Sequence, residues 1–242
     1  MLLHIPQVLN ASQLAEIRHN LHTASWQAGA TTAGGQAAKV KHNLQLPQNL
    51  AIAQHMAQQV REALLANPLF VSAVLPKQLL MPLFNCYQQG GHFGNHVDGA
   101  IQYETLTRLA VRTDVSTTVF LSEPDEYEGG ELVIEDNYGS HEVKLAAGDA
   151  IIYPATSLHR VEPVTDGQRF AAFLWSLFHL IALESRATSP FTPLARGAVI
   201  GSGGVDLSQL FISPSLVYKI NENHALGIAV NLAYQRFKET RP

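Results

Sequence analysis

The sequence has a single cysteine, Cys86, among its 242 residues. Intramolecular disulfide bonds are therefore excluded, and this cysteine usage favours a reducing compartment. The chain also lacks the roughly 18 uninterrupted apolar residues that a membrane helix needs. Its first ten residues have neither the basic segment nor the long apolar run of a secretory signal. These absences predict a cytoplasmic location, and no membrane association is expected for the main domain.

Charged residues are also scarce, at 15% of the chain, and the formal net charge is -4. Nucleic-acid binding usually requires a basic surface, so no nucleic-acid partner is expected. Hydrophobic residues make up 46%, which is enough to form a core. The length suits one sizeable domain, or one domain with an appendage.

Residues 1–76 have the apolar spacing of helices. Asn10 or Ser12 can cap the first helix, and the second is expected over residues 47–66, with Pro68 helping to end it. Residues 31–47, between the two, are polar and contain glycine, which indicates a loop or an irregular strand. The apolar positions that define the two helical faces are Leu14, Ile17 and Leu21, followed by Ile52, Met56, Val60 and Leu64.

Residues 77–177 change to the pattern of short strands separated by turns. The strand-like runs are rich in β-branched and aromatic residues, and the turns contain Gly, Asp, Asn and Pro. These turns are too short for crossover helices, so a parallel sheet is disfavoured. The predicted fold is mainly β with flanking N-terminal helices, namely a double-stranded β-helix or jelly roll. The runs are KQLLMPLFNCY, VSTTVFLS, GELVIED, HEVKL, AIIYP, LHRVEPV and RFAAFLW.

Residues 178–242 differ again and are predicted to form a linker and a β-hairpin-like tail. Small residues, Gly and Pro dominate residues 182–204, as in a linker. Two alternating runs follow, LFISPSLVYKI and ALGIAVNLAYQRF, joined by NENH. In the second run large apolar residues occupy one face and small or polar residues the other. A main domain over residues 1–177 and an atypical tail are therefore expected.

The stretch YQQGGHFGNHVDGA, residues 87–100, places His96 and Asp98 two residues apart among glycines. Two hypotheses fit: an ordinary polar loop, or half of a metal site. Side chains two apart share one face of an extended strand. An imidazole and a carboxylate, joined by one more histidine, make the ligand set of non-haem Fe(II) oxygenases.

His159 is the candidate for the third ligand. It follows the apolar run AIIYP and a short turn, so it is expected at the start of a strand. The alternative is a core histidine with a hydrogen-bonded ring. Arg169 opens the apolar run RFAAFLW, where a buried guanidinium would require an anionic partner such as a carboxylate. The alternative for Arg169 is a position that faces solvent.

The ordered set of YQQGGHFGNHVD, EGGEL and AGDAIIYPATSLHRVEPVTDGQRFAAFLW resembles the Fe(II)/2-oxoglutarate dioxygenases of the prolyl/lysyl-hydroxylase-like group. Within that group it is most similar to the bacterial PKHD-type hydroxylases, a subfamily associated with iron uptake regulation. The segment KVKHNLQLP resembles a stretch of the same subfamily. The likeness covers residues 1 to about 175.

The resemblance implies site residues, cofactors and an activity. His96, Asp98 and His159 would ligate iron, Arg169 would anchor 2-oxoglutarate, and Tyr87 would add a hydroxyl contact to that co-substrate. The implied reaction decarboxylates 2-oxoglutarate to succinate and hydroxylates a substrate with molecular oxygen, and ascorbate often supports it. The substrate and the oligomeric state, including a homo-oligomer, stay open.

Two other functions are weighed against the hydroxylase. A cupin-like metal-binding or sensing module without turnover would also use histidines in a β-barrel, but Arg169 and the two-His, one-Asp set favour the enzyme. The tail from about residue 205 resembles part of an outer-membrane fatty-acid transporter barrel, which raises a membrane transporter component as a third function. The first 175 residues argue against that function. Substrate specificity is expected in the loop GAIQYETLTRLAVRTD.

Overall fold

The computed structural model describes residues 2–32, 37–104, 109–136 and 139–178, together with the backbone of four strands in the tail. The chain divides into two compact units, Met1–His179 and Leu180–Pro242. No helix in these described residues is long and apolar enough to span a membrane.

The described residues of the first unit contain three α-helices: α1 (Ala11–Thr23), α2 (Ala51–Ala66) and α3 (Pro68–Val74). Asn10 caps α1, because its side chain accepts a hydrogen bond from the Gln13 amide while the Gln13 side chain accepts one from the Asn10 amide. Of the two cap candidates, Asn10 is therefore the cap.

The buried face of α2 differs from the predicted one. Met56, Val60 and Leu64 are buried, but Ile52 is 37% exposed. Successive steps of four residues rotate by about 40° around a helix, so a strict four-residue row drifts away from the core. Ala53 and Ala57 complete the buried stripe instead.

Pro68 has a second role that the sequence analysis missed. It is the first residue of α3, where a proline loses no hydrogen bond, and the Asn67 side chain accepts from the Phe70 amide. Because Asn67 can both end one helix and cap the next, α3 follows α2 directly.

The strands of the first unit occupy the predicted runs, with additions at residues 3–5, between 27 and 45, at 91–112 and at 127–129, the last of which was predicted as a turn. The predicted run at 77–87 forms two strands. The strands are β1 (Leu3–Ile5), β2 (Gln27–Ala28), β3 (Lys41–His42), β4 (Leu44–Gln45), β5 (Pro76–Leu79), β6 (Leu83–Tyr87), β7 (Gly91–His96), β8 (Ile101–Tyr103), β9 (Ala110–Arg112), β10 (Val115–Phe120), β11 (Tyr127–Gly129), β12 (Leu132–Asp136), β13 (Gly139–Val143), β14 (Ala150–Pro154), β15 (Leu158–Gly167) and β16 (Arg169–Phe178).

Apart from β8 and β9, which pair only with each other, these strands form two large sheets, and every pairing is antiparallel. The eight-stranded sheet has the order β1-β14-β10-β16-β6-β4-β2, with β5 also on β16. The six-stranded sheet has the order β13-β12-β15-β7-β3, with β11 also on β15. The chain crosses between the two sheets at β6–β7, at β10–β11 and at each step from β13 to β16, which is the jelly-roll arrangement. The predicted fold class is confirmed.

Strand alternation gives the eight-stranded sheet two different faces. On β16, Phe170, Ala172 and Leu174 are buried in a core that includes α1, α2 and α3. The alternate residues Arg169, Ala171 and Phe173 line a cavity on the other face. A second apolar core, which includes Phe120, Ile134, Ile151 and Val164, joins the two sheets. The helices therefore support the sheet from outside, and the inner face is available for a site.

Cys86 follows the same alternation on β6. Its neighbours Asn85 and Tyr87 line the cavity, whereas Cys86 is 2% exposed and belongs to the core on the helix side. Burial raises the pKa of the Cys86 thiol to about 12.

The second unit contains β17 (Gly204–Ile212), β18 (Ser215–Asn221), β19 (His224–Ala229) and β20 (Leu232–Thr240). β18 pairs with β19 across NENH, as the predicted hairpin requires, and β17 pairs with β20. Each predicted run is divided into two strands. The linker at 182–203 and the side-chain faces of the tail lie outside the described residues.

Candidate active site

Three candidate ligands meet where β7 and β15 run side by side. His96 ends β7, His159 is the second residue of β15, and the two are register partners. Asp98 lies two residues beyond the end of β7. One ligand atom from each of the three lies within 4.8 Å of the other two. Among the described residues, this is the one such group of His, Cys, Asp or Glu side chains.

Backbone contacts fix which ring nitrogen each histidine offers. The Nδ1 atom of His96 lies 2.8 Å from the Gly94 carbonyl oxygen, and Nδ1 of His159 lies 3.0 Å from the Ser157 carbonyl oxygen. Because a carbonyl oxygen only accepts, each Nδ1 must carry the proton and donate it. In a neutral ring Nε2 then has a free lone pair, as metal ligation requires.

The neutral form of His96 is favoured by its surroundings. Burial and, to a smaller extent, the charge of His159 lower the pKa of His96 to about 4, while the Gly94 carbonyl and Asp98 oppose the shift. A ring that stays neutral at physiological pH is available to a metal ion without competition from protons.

Asp98 is held by a buried hydroxyl. Ser116, on β10 of the other sheet, is 2% exposed, and its Oγ donates to Oδ2 of Asp98 at 2.5 Å. Such a partner orients a ligating carboxylate that would otherwise rotate. Ser116 was missed in the sequence because its role depends on the pairing of distant strands.

Arg169 opens β16, as predicted, and is 1% exposed. Its guanidinium carbon lies 5.2 Å from the ring centre of Tyr87 and 5.1 Å from that of Phe120. Its Nε and Nη2 atoms have no hydrogen-bond partner among the described residues. A buried cation with donors of this kind is costly unless an anion accepts from them. The solvent-facing alternative is therefore wrong, and the site can hold a carboxylate.

Tyr87 is the register partner of Arg169 and is 2% exposed. The Asn85 side-chain amide donates to the Tyr87 hydroxyl oxygen at 3.3 Å. Burial raises the pKa of Tyr87, so the hydroxyl stays protonated and can donate to an acceptor that Arg169 also binds.

The EGGEL motif is structural and supports Arg169 directly. Gly130 has a φ of +69°, and a Cβ atom there would lie 3.0 Å from Cδ of Arg169 and 2.7 Å from Cγ2 of Val164. The β11–β15 pairing shifts register at Glu128/Gly129, and glycine in a strand often marks such a bulge. The bare backbone at Gly130 therefore leaves room for the arginine stem.

One cavity of about 790 Å³ contains all five predicted site residues. Ile101, Gln102, Tyr103 and Glu104, from the β8–β9 hairpin in the predicted specificity loop, also line it. Several other residues that line the cavity were not predicted from the sequence. They are Lys41, Asn85, Ser116, Thr118, Tyr153, Phe173 and Trp175. A usable signal was present in VSTTVF, where Ser116 and Thr118 put polar groups on one face of an apolar strand.

Comparison with known proteins gives the family. Residues 82–177 match the 2OG-Fe(II) oxygenase superfamily. A PKHD-type hydroxylase of Hyphomonas neptunium is 61% identical over 176 residues, which cover 73% of this chain and 78% of that protein. A PKHD-type hydroxylase of Saccharophagus degradans is 58% identical over 175 residues, covering 72% and 77%.

Solved structures agree on the fold. A prolyl-4-hydroxylase of Pseudomonas putida superposes with a TM-score of 0.50 at 18% identity, covering 72% of this chain and 91% of that one. A prolyl hydroxylase of Trichoplax adhaerens, solved with a peptide fragment of hypoxia inducible factor, gives 0.52 at 12% identity, covering 73% and 83%.

The level of identity to the hydroxylases, over most of their length, is sufficient to assign the family. The 2OG-Fe(II) oxygenase match and the His-Asp-His cluster agree with it. The chain belongs to the PKHD-type hydroxylases and is a 2-oxoglutarate-dependent dioxygenase.

Proposed function

We propose that His96, Asp98 and His159 hold the Fe(II) ion of this enzyme. The supporting observation is the donor set, in which one ring nitrogen from each histidine and a carboxylate oxygen converge within 4.8 Å. This set of two imidazoles and one carboxylate suits Fe(II) and leaves coordination positions open for other molecules.

Arg169 anchors 2-oxoglutarate in this proposal, and Tyr87 adds a hydroxyl donor. The two unpartnered guanidinium nitrogens, Nε and Nη2, match the two oxygens of a carboxylate. The aromatic rings around Arg169 exclude water and so strengthen that ion pair. Arg169 and the metal ligands line the same cavity, so one dicarboxylate can extend from the arginine toward the cluster.

The bound iron would supply the redox chemistry by which molecular oxygen and 2-oxoglutarate give carbon dioxide, succinate and a hydroxylated substrate. The protein's own residues bind the co-substrate and orient the side chains that would ligate the metal. Arg169 fixes the co-substrate, Ser116 orients Asp98, and the backbone carbonyls of Gly94 and Ser157 keep both histidines in the ligating tautomer.

Three finer points of the proposal rest on the subfamily resemblance and the sequence. They are a link to iron uptake, support by ascorbate, and a cytoplasmic location. The substrate is a molecule with a C–H bond that reaches the cavity past the β8–β9 hairpin. A non-catalytic cupin-like module has no observation in its favour, since the buried Arg169 would then have no partner to bind.

Removal of one ligand tests the metal assignment. Purified protein should bind about one Fe(II) per chain, and His96→Ala or Asp98→Ala should abolish binding, because the two remaining side chains hold the ion poorly. Iron is measured after anaerobic desalting, and succinate formation is measured alongside.

His92→Ala is the matched control, because His92 lies on the same strand as His96 but outside the ligand cluster. It should keep both iron and succinate formation. Stoichiometric iron in the Asp98→Ala protein would contradict the assignment.

A further inference from the structure

The segment 41–45, called the bridging segment below, joins the two sheets. β3 pairs with β7 of the six-stranded sheet, and β4 pairs with β6 of the eight-stranded sheet. Its alternate side chains Lys41, Asn43 and Gln45 are 5%, 8% and 0% exposed, whereas His42 between them is exposed. Three consecutive inward positions are therefore polar, although burial of polar groups is costly.

The Lys41 ammonium group has a defined place in the cavity. Nζ donates to Oε1 of Gln45 at 2.7 Å. It lies 5.5 Å from the ring centre of Phe93 and 5.6 Å from that of Phe173. These rings belong to β7 and β16, on different sheets, so the amine is held between the cavity walls with its stem packed on aromatic carbon.

Lys41 and Arg169 serve different parts of the cavity. Phe173, beside Lys41, is four residues from Arg169 along β16, which is about 13 Å at the rise of a strand. Phe93 stacks on the ring of His96, with 3.5 Å between the ring centres. Lys41 therefore lies beside the ring that stacks on His96, whereas Arg169 begins β16 four residues before Phe173.

The positive charge of Lys41 interacts electrostatically with Asp98 of the metal cluster. Burial lowers the pKa of Lys41 to about 8, and the negative charge of Asp98 opposes that shift. The amine is thus mainly protonated at neutral pH. When Asp98 ligates a divalent cation its charge is shared with that ion, and a positive side chain beside the cluster then favours an incoming anion. A methionine would fill the same space without the cost of burying a charge.

We propose that Lys41 is a second anion-binding residue of the cavity, which holds a carboxylate group beside the metal site. The inference rests on the proposed function, because that function places the metal at His96, Asp98 and His159. Two sources supply the same chemistry: the second carboxylate of 2-oxoglutarate, or an acidic group on the molecule that is hydroxylated.

The test uses the full chain loaded with Mn(II), which occupies the site without turnover, and compares wild type with Lys41→Met and Lys41→Arg. In the first arm 2-oxoglutarate is titrated by calorimetry. In the second, protein saturated with 2-oxoglutarate is titrated with N-acetylglycine and with its neutral amide. Tryptophan fluorescence reports this binding, since Trp175 lines the cavity. Lys77→Met, at an exposed lysine, is the matched control.

Removal of the charge should weaken carboxylate binding by about tenfold or more, the scale of a lost charge-assisted hydrogen bond. A loss of 2-oxoglutarate affinity in Lys41→Met identifies the co-substrate as the source. If only the preference for N-acetylglycine over the amide is lost, the source is an acidic group of the substrate. Lys41→Arg should retain most of the effect, and Lys77→Met should behave as wild type.

Equal affinities for all ligands in wild type and Lys41→Met would overturn the inference. Lys41→Gln replaces the methionine variant if circular dichroism finds the latter unfolded, because glutamine keeps a polar contact to Gln45 without the charge. A wild-type protein that binds no 2-oxoglutarate with Mn(II) would instead contradict the proposed function. The two failures can be told apart, because failure of the proposed function would appear in wild type, whereas the Lys41 inference concerns only the difference between wild type and the Lys41 variants.

Discussion

Arg169 combines almost complete burial with two unpartnered donor atoms. The rings of Tyr87 and Phe120 stabilise its charge. The hydrogen bonds that Nε and Nη2 of Arg169 can donate are therefore available to a ligand. The residue can bind 2-oxoglutarate without giving up another ion pair.

Arg169→Ala should leave iron bound and weaken 2-oxoglutarate binding. The loss of a buried two-point contact costs on the order of 2–5 kcal/mol, which corresponds to a rise of about 30-fold or more in the half-saturating concentration. Calorimetric titration and the concentration dependence of succinate formation both measure it.

Arg18→Ala is the control for Arg169, because Arg18 lies on α1 and pairs with Glu126 away from the cavity. Arg169→Lys should be intermediate, since it keeps the charge and loses the planar fork. An unchanged half-saturating concentration in Arg169→Ala would assign the carboxylate to another residue.

At the scale of elements, the glycine turn between β11 and β12 determines where the stem of Arg169 lies. At Gly130 the Cβ of any other amino acid would contact the arginine stem and Val164. The turn thus links the six-stranded sheet to the co-substrate end of the cavity.

Gly130→Ala should lower both stability and 2-oxoglutarate affinity. The positive φ costs about 1–3 kcal/mol for a residue with a side chain, and the contact at Cδ displaces Arg169. Thermal unfolding measures the first effect and calorimetry the second.

Gly90→Ala separates the two effects, because Gly90 has a φ of +81° and nothing within 4 Å of a Cβ. It should lose stability and keep co-substrate affinity. Equal 2-oxoglutarate affinities in the two variants would mean that the glycine turn does not position Arg169.

The sequence predicted those elements whose pattern is local. His159 and Arg169 each start a strand because a turn and an apolar run define the boundary, and both strands lie where expected. Asn67 followed by Pro68 can either end a helix or begin one, so α3 was missed. β7 was obscured by its glycines, although it forms a strand up to His96.

The residues that complete the site could not be predicted in this way. Ser116 and Lys41 lie 18 and 57 positions from Asp98 in the sequence, and they reach it only through strand pairing and the bridging segment. A lysine in a polar stretch is ordinarily exposed. Only the tertiary arrangement, which packs Lys41 between Phe93 and Phe173, makes its burial possible.

For the whole molecule, every proposed site residue precedes position 170 and lies in the first compact unit. The tail strands pair among themselves as β17–β20 and β18–β19. We therefore expect the residues from about 186 onward to be dispensable for the site, and the predicted domain division at about residue 177 stays a prediction.

A chain that ends at Arg186 should keep iron and 2-oxoglutarate binding and be at least as soluble as the full chain, since apolar residues of a hairpin promote association where they are exposed. Metal content after desalting and sedimentation of the soluble fraction measure the two properties. Loss of iron binding from a shortened chain that circular dichroism finds folded would show that the tail supports the site.

The position of Cys86 affects how readily the enzyme is inactivated by oxidation during its own reaction. Enzymes that activate oxygen with iron expose nearby thiols to oxidation, and a thiolate reacts far faster than a thiol. The sole cysteine lies on the helix side of β6, while Asn85 and Tyr87 face the cavity. Its raised pKa keeps it protonated. One sheet thus separates the chain's only thiol from the oxidant, and self-inactivation by cysteine oxidation is disfavoured.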